Sequence, residues 1–200
     1  MADKPGPMDV LWQRLQAESP ESVARRAAVA YDAAGRAYLV PLCGQVLRVL
    51  PAAKRVEGAD GPCGCEPTLA CVQYLLTAQD APPAGEMVNP RAIPSGDFFF
   101  RGPHDLPTGR LVKAFGERVE AFCKAAEKIG GRAARAGDAA YEFAALPRVP
   151  VTIVLWRADE EFPARAQILL DRAADRQLPL DALWVLSNVL IKRLIAVAGK

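Results

Sequence analysis

The stretch Leu146–Arg172, LPRVPVTIVLWRADEEFPARAQILLDR, constrains the fold more than any other part of the chain. Val151–Trp156 and Ala166–Leu170 are short runs rich in branched and aromatic apolar residues, and the segment between them carries three consecutive acids, Asp159, Glu160 and Glu161. Strand signals on both sides of a short charged segment predict an antiparallel hairpin. The second strand hands over to a long C-terminal helix whose Leu183, Leu186, Leu190, Leu194 and Val197 form one apolar stripe. Asp181 is placed to cap that helix, with Leu180 and Val185 as a hydrophobic staple, and Lys192, Arg193 and Lys200 lie toward its C-terminal end, where positive charge suits the helix dipole.

The rest of the chain fits the same plan. Residues 1–7 hold two prolines and a glycine and read as a flexible lead-in. Met8, Leu11, Trp12 and Leu15 share one helical face, and Ser19-Pro20 supplies an N-cap and a first-turn proline for a second helix, the pair leaning on the sheet. AYLVPL and QVLRVL flank Cys43-Gly44 as a second hairpin, with Pro41 arguing for an edge strand, and a short strand follows near Arg55-Val56. Thr68 is placed to cap a helix through Leu69, Val72, Leu75 and Leu76. Residues 80–107 are rich in proline and glycine yet carry Phe98–Phe100, which predicts a packed loop with a short strand at the phenylalanines. Leu111, Phe115, Val119, Phe122, Ala126 and Ile129 recur at intervals of four and three and predict one helix ended by Gly130-Gly131, and a strand at Ala140–Ala144 precedes the opening stretch. The fold class is α+β: a single domain over residues 8–200, mainly antiparallel sheet with hairpins packed against three to four helices.

Composition narrows the function. A net charge of +2, with arginines interleaved among alanines and acids, lacks the basic stripe that nucleic acid requires. No apolar run approaches the roughly 18 residues of a membrane span, and the start MADKPGPMDV has no basic segment followed by an apolar one, so a cytoplasmic place is expected. There is no phosphate-cradling G-x-x-x-x-G-K-[ST] and no G-x-G-x-x-G after a strand. His104 is the only histidine, so a histidine-rich metal site is excluded and any Ser/His/Asp or Cys/His mechanism runs through it.

Three groups of residues can carry chemistry. Cys43, Cys63, Cys65 and Cys71 sit in a turn, a loop and the first turn of the helix that Thr68 would cap, where free N–H groups lower a thiol's pKa. Four such soft ligands suit zinc or an iron–sulfur cluster. The C-x-C-x5-C spacing matches no standard site, and a reversible disulfide such as Cys63–Cys71 and unligated thiols stay open beside it; Cys123 reads as core. Asp159, Glu160 and Glu161 can hold a hard cation or, crowded together, work as acid or base, and they can equally be a solvated hairpin loop. Phe98–Phe100 beside Arg91 and Arg101 offers apolar surface with guanidinium groups for a flat anion or a protein partner, and core packing explains it too.

The segments GEMVNPRAIPSGDFFF, RLVKAFGERVEAFCKAAEKIGG and LPRVPVTIVLWRADEEFPARAQILLD, in that order, resemble the bacterial and archaeal proteins, common in strict anaerobes, grouped as domain of unknown function family 3786. The resemblance runs from about Val23 onward and is most specific at Pro147-Arg148-Val149-Pro150 and Asp159–Pro163. It implies an intracellular α+β domain and no particular reaction. Some members look like fusions to an iron–sulfur module, which implies work near low-potential metal or corrinoid chemistry. Met87 stands where the family usually has tryptophan, Ala158 where it has glycine, and the cysteines at 63, 65 and 71 lie outside its pattern. The expectation is a non-catalytic protein that binds a cofactor, metal or small ligand where the 84–104 loop and the acidic hairpin loop converge, through Glu86, Arg101, Arg148, Asp159, Glu160 and Glu161. The alternatives are an enzyme using the Asp159–Glu161 carboxylates on an anionic substrate and a protein-interaction module.

Overall fold

A computed structural model describes residues 6–199 of the chain. Residues 1–5 of the expected lead-in, and Lys200, lie outside the described residues, and Pro7 already opens helix α1 (Pro7–Ala17), which buries Trp12 and Leu15. Ser19 caps α2 (Pro20–Ala27) as its sequence predicts, its hydroxyl accepting the Ser22 N–H at 3.3 Å with Pro20 at the first helical position.

The first sheet is an antiparallel meander of β1 (Ala30–Asp32), β2 (Ala37–Leu42), β3 (Gln45–Leu50), β4 (Arg55–Gly58) and β5 (Gly61–Pro62), paired in sequence order. Cys43 and Gly44, at φ 48° and 77°, form the two-residue turn between β2 and β3. That geometry matches the right-handed twist of the strands. Glycine is required at 44 for a second reason, because a Cβ there would run into the Ile129 carbonyl. The edge position inferred from Pro41 is corrected: β2 lies between β1 and β3, but β1 pairs only as far as Leu39. Opposite Val46 in a two-residue hairpin, Pro41 turns its nitrogen away from β3 to the side where β1 has ended, so no ladder bond is lost.

Helix α3 (Cys65–Thr77) starts earlier than expected, with Gly64 as its N-cap, and Thr68 lies inside it. After it come the short strand β6 (Met87–Val88), a 3-10 turn at Pro90–Ala92, α4 (Gly96–Phe99), α5 (Thr108–Phe115) and α6 (Val119–Lys128). The predicted strand at Phe98–Phe100 is therefore a helical turn, with Phe98 pointing to solvent and Phe100 buried. The single helix predicted across Leu111–Ile129 is two, broken at residues 116–118. Gly116 still has helical dihedrals and packs so closely against Ala164 of the hairpin loop that a Cβ would sit 3.0 Å from that methyl; the helical path is left at Arg118, at φ −129° and ψ 52°. The apolar stripe runs on in phase across the break, and Leu111, Phe115, Val119, Phe122, Ala126 and Ile129 are all buried.

The second sheet comprises β7 (Arg132–Ala134), β8 (Ala139–Leu146), β9 (Val149–Trp156) and β10 (Arg165–Asp171) with β6, in the order β6-β10-β9-β8-β7, antiparallel throughout. The predicted hairpin is β9–β10, with Trp156 opposite Arg165 and Val151 opposite Leu170. A bulge in β8 at Ala145 frees that residue's carbonyl to accept the Cys43 N–H at 3.0 Å, which joins the two sheets. Short α7 (Ala174–Gln177) leads into α8 (Leu180–Ala198), whose N-cap is Pro179; Asp181, expected to cap it, lies one residue inside the helix. One core runs through both sheets and the helices, from Leu47 and Val49 through Leu146 and Ile153 to Leu183, Leu186, Leu190 and Leu194 of α8. Burying each of those leucines contributes roughly 1.5–3 kcal/mol. The α+β class is as the patterning predicts, with two sheets rather than one and eight helices among the described residues. No described helix is long and apolar enough to cross a membrane.

Candidate functional site

Glu86 and the acidic hairpin loop, expected to share a site, lie at opposite ends of β10. Glu86 adjoins Met87, which pairs with Asp171 at one end, while Asp159–Glu161 precede Arg165 at the other. Six residues of strand separate those ends by about 20 Å. Asp159 shapes its own loop: its Oδ1 accepts the N–H groups of Glu161 at 2.9 Å and Phe162 at 2.7 Å, and its N–H donates to the Phe162 carbonyl at 2.9 Å. Asp159, Glu160 and Glu161 are all exposed, and the hollow beside them, lined by Ala158, Pro163 and Ala164, includes none of the three carboxylates. The acid–base reading therefore lacks support from the acids' surroundings.

The other candidate charges are engaged in structure. Glu86 receives a two-point bond from Arg172, Nε to Oε2 at 2.5 Å and Nη2 to Oε1 at 2.6 Å, which holds its carboxyl below the usual range. Arg101 pairs with Asp97 one helical turn earlier at 2.5 Å. Arg148 is largely buried, its guanidinium donating to the carbonyls of Arg26 at 2.8 Å and Ala81 at 3.0 Å and to Asp80 Oδ1 at 2.6 Å. His104 stacks on Phe99 at 4.5 Å and meets the edge of Trp184, whose Nε1 donates to the Asp105 carbonyl at 3.1 Å. The sole histidine is therefore a spacer that fastens the 96–106 loop to α8.

The cysteine group also changes character. Because Gly64 is the N-cap, Cys71 sits in the second turn of α3, fully buried, and Cys65 occupies the first helical position, exposed. Burial pushes the Cys43 thiol up to about 12 and the Cys71 thiol higher still, and it raises Cys63 as well, the opposite of the expected activation. Cys63 and Cys71, the pair named as a possible reversible disulfide, are both free thiols in this structure, Cys63 half-buried and Cys71 buried. All five cysteines are free, and no group of three His, Cys, Asp or Glu side chains among the described residues is placed to hold a metal ion. In native protein at pH 8, a maleimide is expected to modify Cys65 first and to leave Cys43 and Cys71 unmodified until the chain unfolds, since a pKa near 12 leaves about a thousandth of the usual thiolate. Site-by-site mass spectrometry checks this; fast labelling of Cys71 would contradict its burial.

The fold assembles several hollows, and two of them border candidate residues. One, of about 660 Å³, opens between α1, the start of α3 and the start of α8; its floor is Met8, Leu11, Trp12, Leu69 and Val185, and Cys63 and Cys65 stand at one end. Partly buried Met8, Leu11 and Leu69 pack on the core from below, so the hollow is apolar on a rigid base. Gly64 brings no capping side chain to α3; Pro67 has no N–H and the Thr68 N–H donates to the Gly64 carbonyl at 3.3 Å, so the open first-turn donors are those of Cys65 and Glu66. The Glu66 carboxylate beside them is neutralised by Lys192 at 2.5 Å. The second hollow, of about 320 Å³, lies between Asn89–Arg91, Phe100 to Thr108 and the edge of β10. Sequence reasoning found Cys63 and Cys65 but not the hollow, because three elements far apart in the chain build it. It also missed Asp171, whose buried carboxylate holds the 84–85 loop and whose only sequence signal is a charge ending an apolar strand.

No curated protein and no solved structure matches the chain. The model of the family described as domain of unknown function (DUF3786) matches residues 19–193, nearly the whole of the fold described above, and the chain belongs to that family.

Proposed function

We propose that this protein is a non-catalytic binding protein whose ligand lies in the hollow between α1, α3 and α8. The observation that carries the reading is the hollow's size and lining. At about 660 Å³ it falls within the usual range of small-molecule sites, and its lining sets apolar Met8, Leu11, Trp12, Leu69 and Val185 beside polar Glu66, Thr68, Gln73 and Asp181. A ligand with an apolar body fits over Met8, Leu11, Trp12 and Leu69, and a polar or anionic end fits against the uncapped start of α3. Met8 can shift its rotamers to follow different bodies, which suits a ligand of variable shape. The enzyme reading has less support, because the carboxylates that motivated it stand in open solvent.

Anilinonaphthalene sulfonate, an apolar body with an anionic end, is the direct probe. One saturable site is expected on the native protein, with Leu69→Arg weakening it by at least about tenfold while near-ultraviolet circular dichroism stays unchanged. Binding that fails to saturate, or that Leu69→Arg leaves intact, would overturn the proposal.

A further inference from the structure

Cys63-Gly64-Cys65 sets two thiols on one short stretch of extended chain. Cys63 follows the last strand of the first sheet, its N–H donating to the Val56 carbonyl at 2.8 Å, and Cys65 opens α3, with Gly64 as the N-cap between them. Gly64 holds φ −71° and ψ −176°, an extended conformation. Side chains two residues apart on extended chain lie on the same side, and their Cα atoms are about 6.6 Å apart, within the span that a disulfide bridges. Both cysteines line the hollow of α1 at the same end, Cys63 half-buried and Cys65 exposed. A Cβ on Gly64 would meet nothing, so the chain there has room to tighten, and glycine accepts the dihedrals that a small ring imposes. The other thiols are not placed for this: Cys43 and Cys71 are buried in the core, and Cys123 lies on α6.

We propose that Cys63 and Cys65 form a dithiol site that exchanges with small disulfides and closes into an intrachain disulfide. The thiolate of Cys65, the accessible member, attacks one sulfur of the small disulfide; a mixed disulfide forms at Cys65 and one small thiolate leaves. The Cys63 thiol gives its proton to water, and its sulfur displaces the second small thiolate from Cys65, which closes the Cys63–Cys65 bond. The chain gives up two electrons and two protons, and the small disulfide becomes two small thiols. Burial raises the Cys63 pKa, which suits the second role, because Cys63 attacks a sulfur already held beside it and proximity makes up for lower thiolate content. The bond ties the end of the first sheet to the first turn of α3, and it replaces two S–H donors at that end of the hollow with a group that has none. The exchange does not depend on what the hollow binds, so either can fail without the other.

The test incubates the reduced full chain with oxidised glutathione, quenches with acid, and then blocks the remaining thiols with iodoacetamide in denaturant. Trypsin releases residues 56–91, which hold Cys63, Cys65 and Cys71, and fragmentation in the mass spectrometer at the Glu66–Pro67 bond separates the first two from the third. Fragment 56–66 is expected unalkylated and lighter by two hydrogens, with Cys71 alkylated, from a monomeric chain whose near-ultraviolet circular dichroism is kept; dithiothreitol should restore both thiols. In Cys63→Ser the reaction should stop halfway, with glutathione held on Cys65, and in Cys65→Ser the loss of free thiol should slow at least about tenfold. Should Cys63→Ser not fold, the fragment mass from the unaltered chain decides by itself. A bond from Cys63 to Cys71, a Cys65–Cys65 bond between two copies, glutathione that stays on Cys65 of the unaltered chain, or two free thiols after the incubation would each overturn the proposal.

Discussion

Replacing Asp171 with alanine is expected to lower the stability of the fold by about 3–5 kcal/mol. Asp171 is 1% exposed, and its carboxylate accepts three backbone N–H groups, from Ala84 at 2.9 Å, Gly85 at 2.8 Å and Ala173 at 2.9 Å. It ties the loop that enters β6 and the turn that leaves β10 to a single buried group. Alanine removes the acceptor and leaves three donors with nothing to bond, each costing about 1–3 kcal/mol if it stays dry. Asparagine keeps one acceptor oxygen but turns an NH₂ toward donors, so Asp171→Asn should recover about half of the loss or less. Urea denaturation with an unchanged m-value reads the effect, and hydrogen exchange at Gly85 should quicken before that of the β8–β9 core. A loss below about 1 kcal/mol for alanine would mean that water replaces the carboxylate and that the loop is not held this way.

The legible parts of this fold are those where local chemistry and tertiary need agree. Ser19-Pro20, Cys43-Gly44 and the β9–β10 hairpin each carry their own signal, and each forms where the residues place it. The misread parts are decided by contacts distant in sequence. Nothing in the phase of Phe115, Val119 and Phe122 reveals the break between α5 and α6, because the stripe is continuous and the backbone leaves the helix only at Arg118. Pro41 misleads because its strand has neighbours on both sides, yet one neighbour is too short to reach it. Thr68 reads as a cap, but Gly64 starts the helix a turn earlier and carries Cys71 into the core. The candidate site was the least legible. Its two proposed loops were joined by family likeness alone, and the length of β10 keeps Glu86 away from the acids.

Arg148 is where stability and binding can be told apart. If it held a ligand, Arg148→Ala would weaken binding and spare the fold; the geometry predicts the reverse. Its guanidinium ties the end of α2, through the Arg26 carbonyl, to Ala81 and Asp80 beyond α3, while its backbone N–H donates to Tyr74 Oη at 3.1 Å and that hydroxyl donates to the Ala27 carbonyl at 2.8 Å. The side chain is 16% exposed, so the two carbonyls have little water to turn to when it is removed. Arg148→Ala is expected to cost about 3 kcal/mol, the loss of two charge-assisted bonds and the stranding of their acceptors. The bond to Asp80 adds little, since that carboxylate is more than half exposed. Lysine has the charge but not the fork that reaches both carbonyls, so Arg148→Lys should recover less than half. Tyr74→Phe, which breaks the neighbouring pair of bonds, should cost about 1–2 kcal/mol. Among the molecules that remain folded, the affinity for anilinonaphthalene sulfonate should be unchanged in all three variants, because none of these groups lines the hollow of α1. A variant that keeps its denaturation midpoint and loses the probe would return Arg148 to the binding site and remove it from the frame.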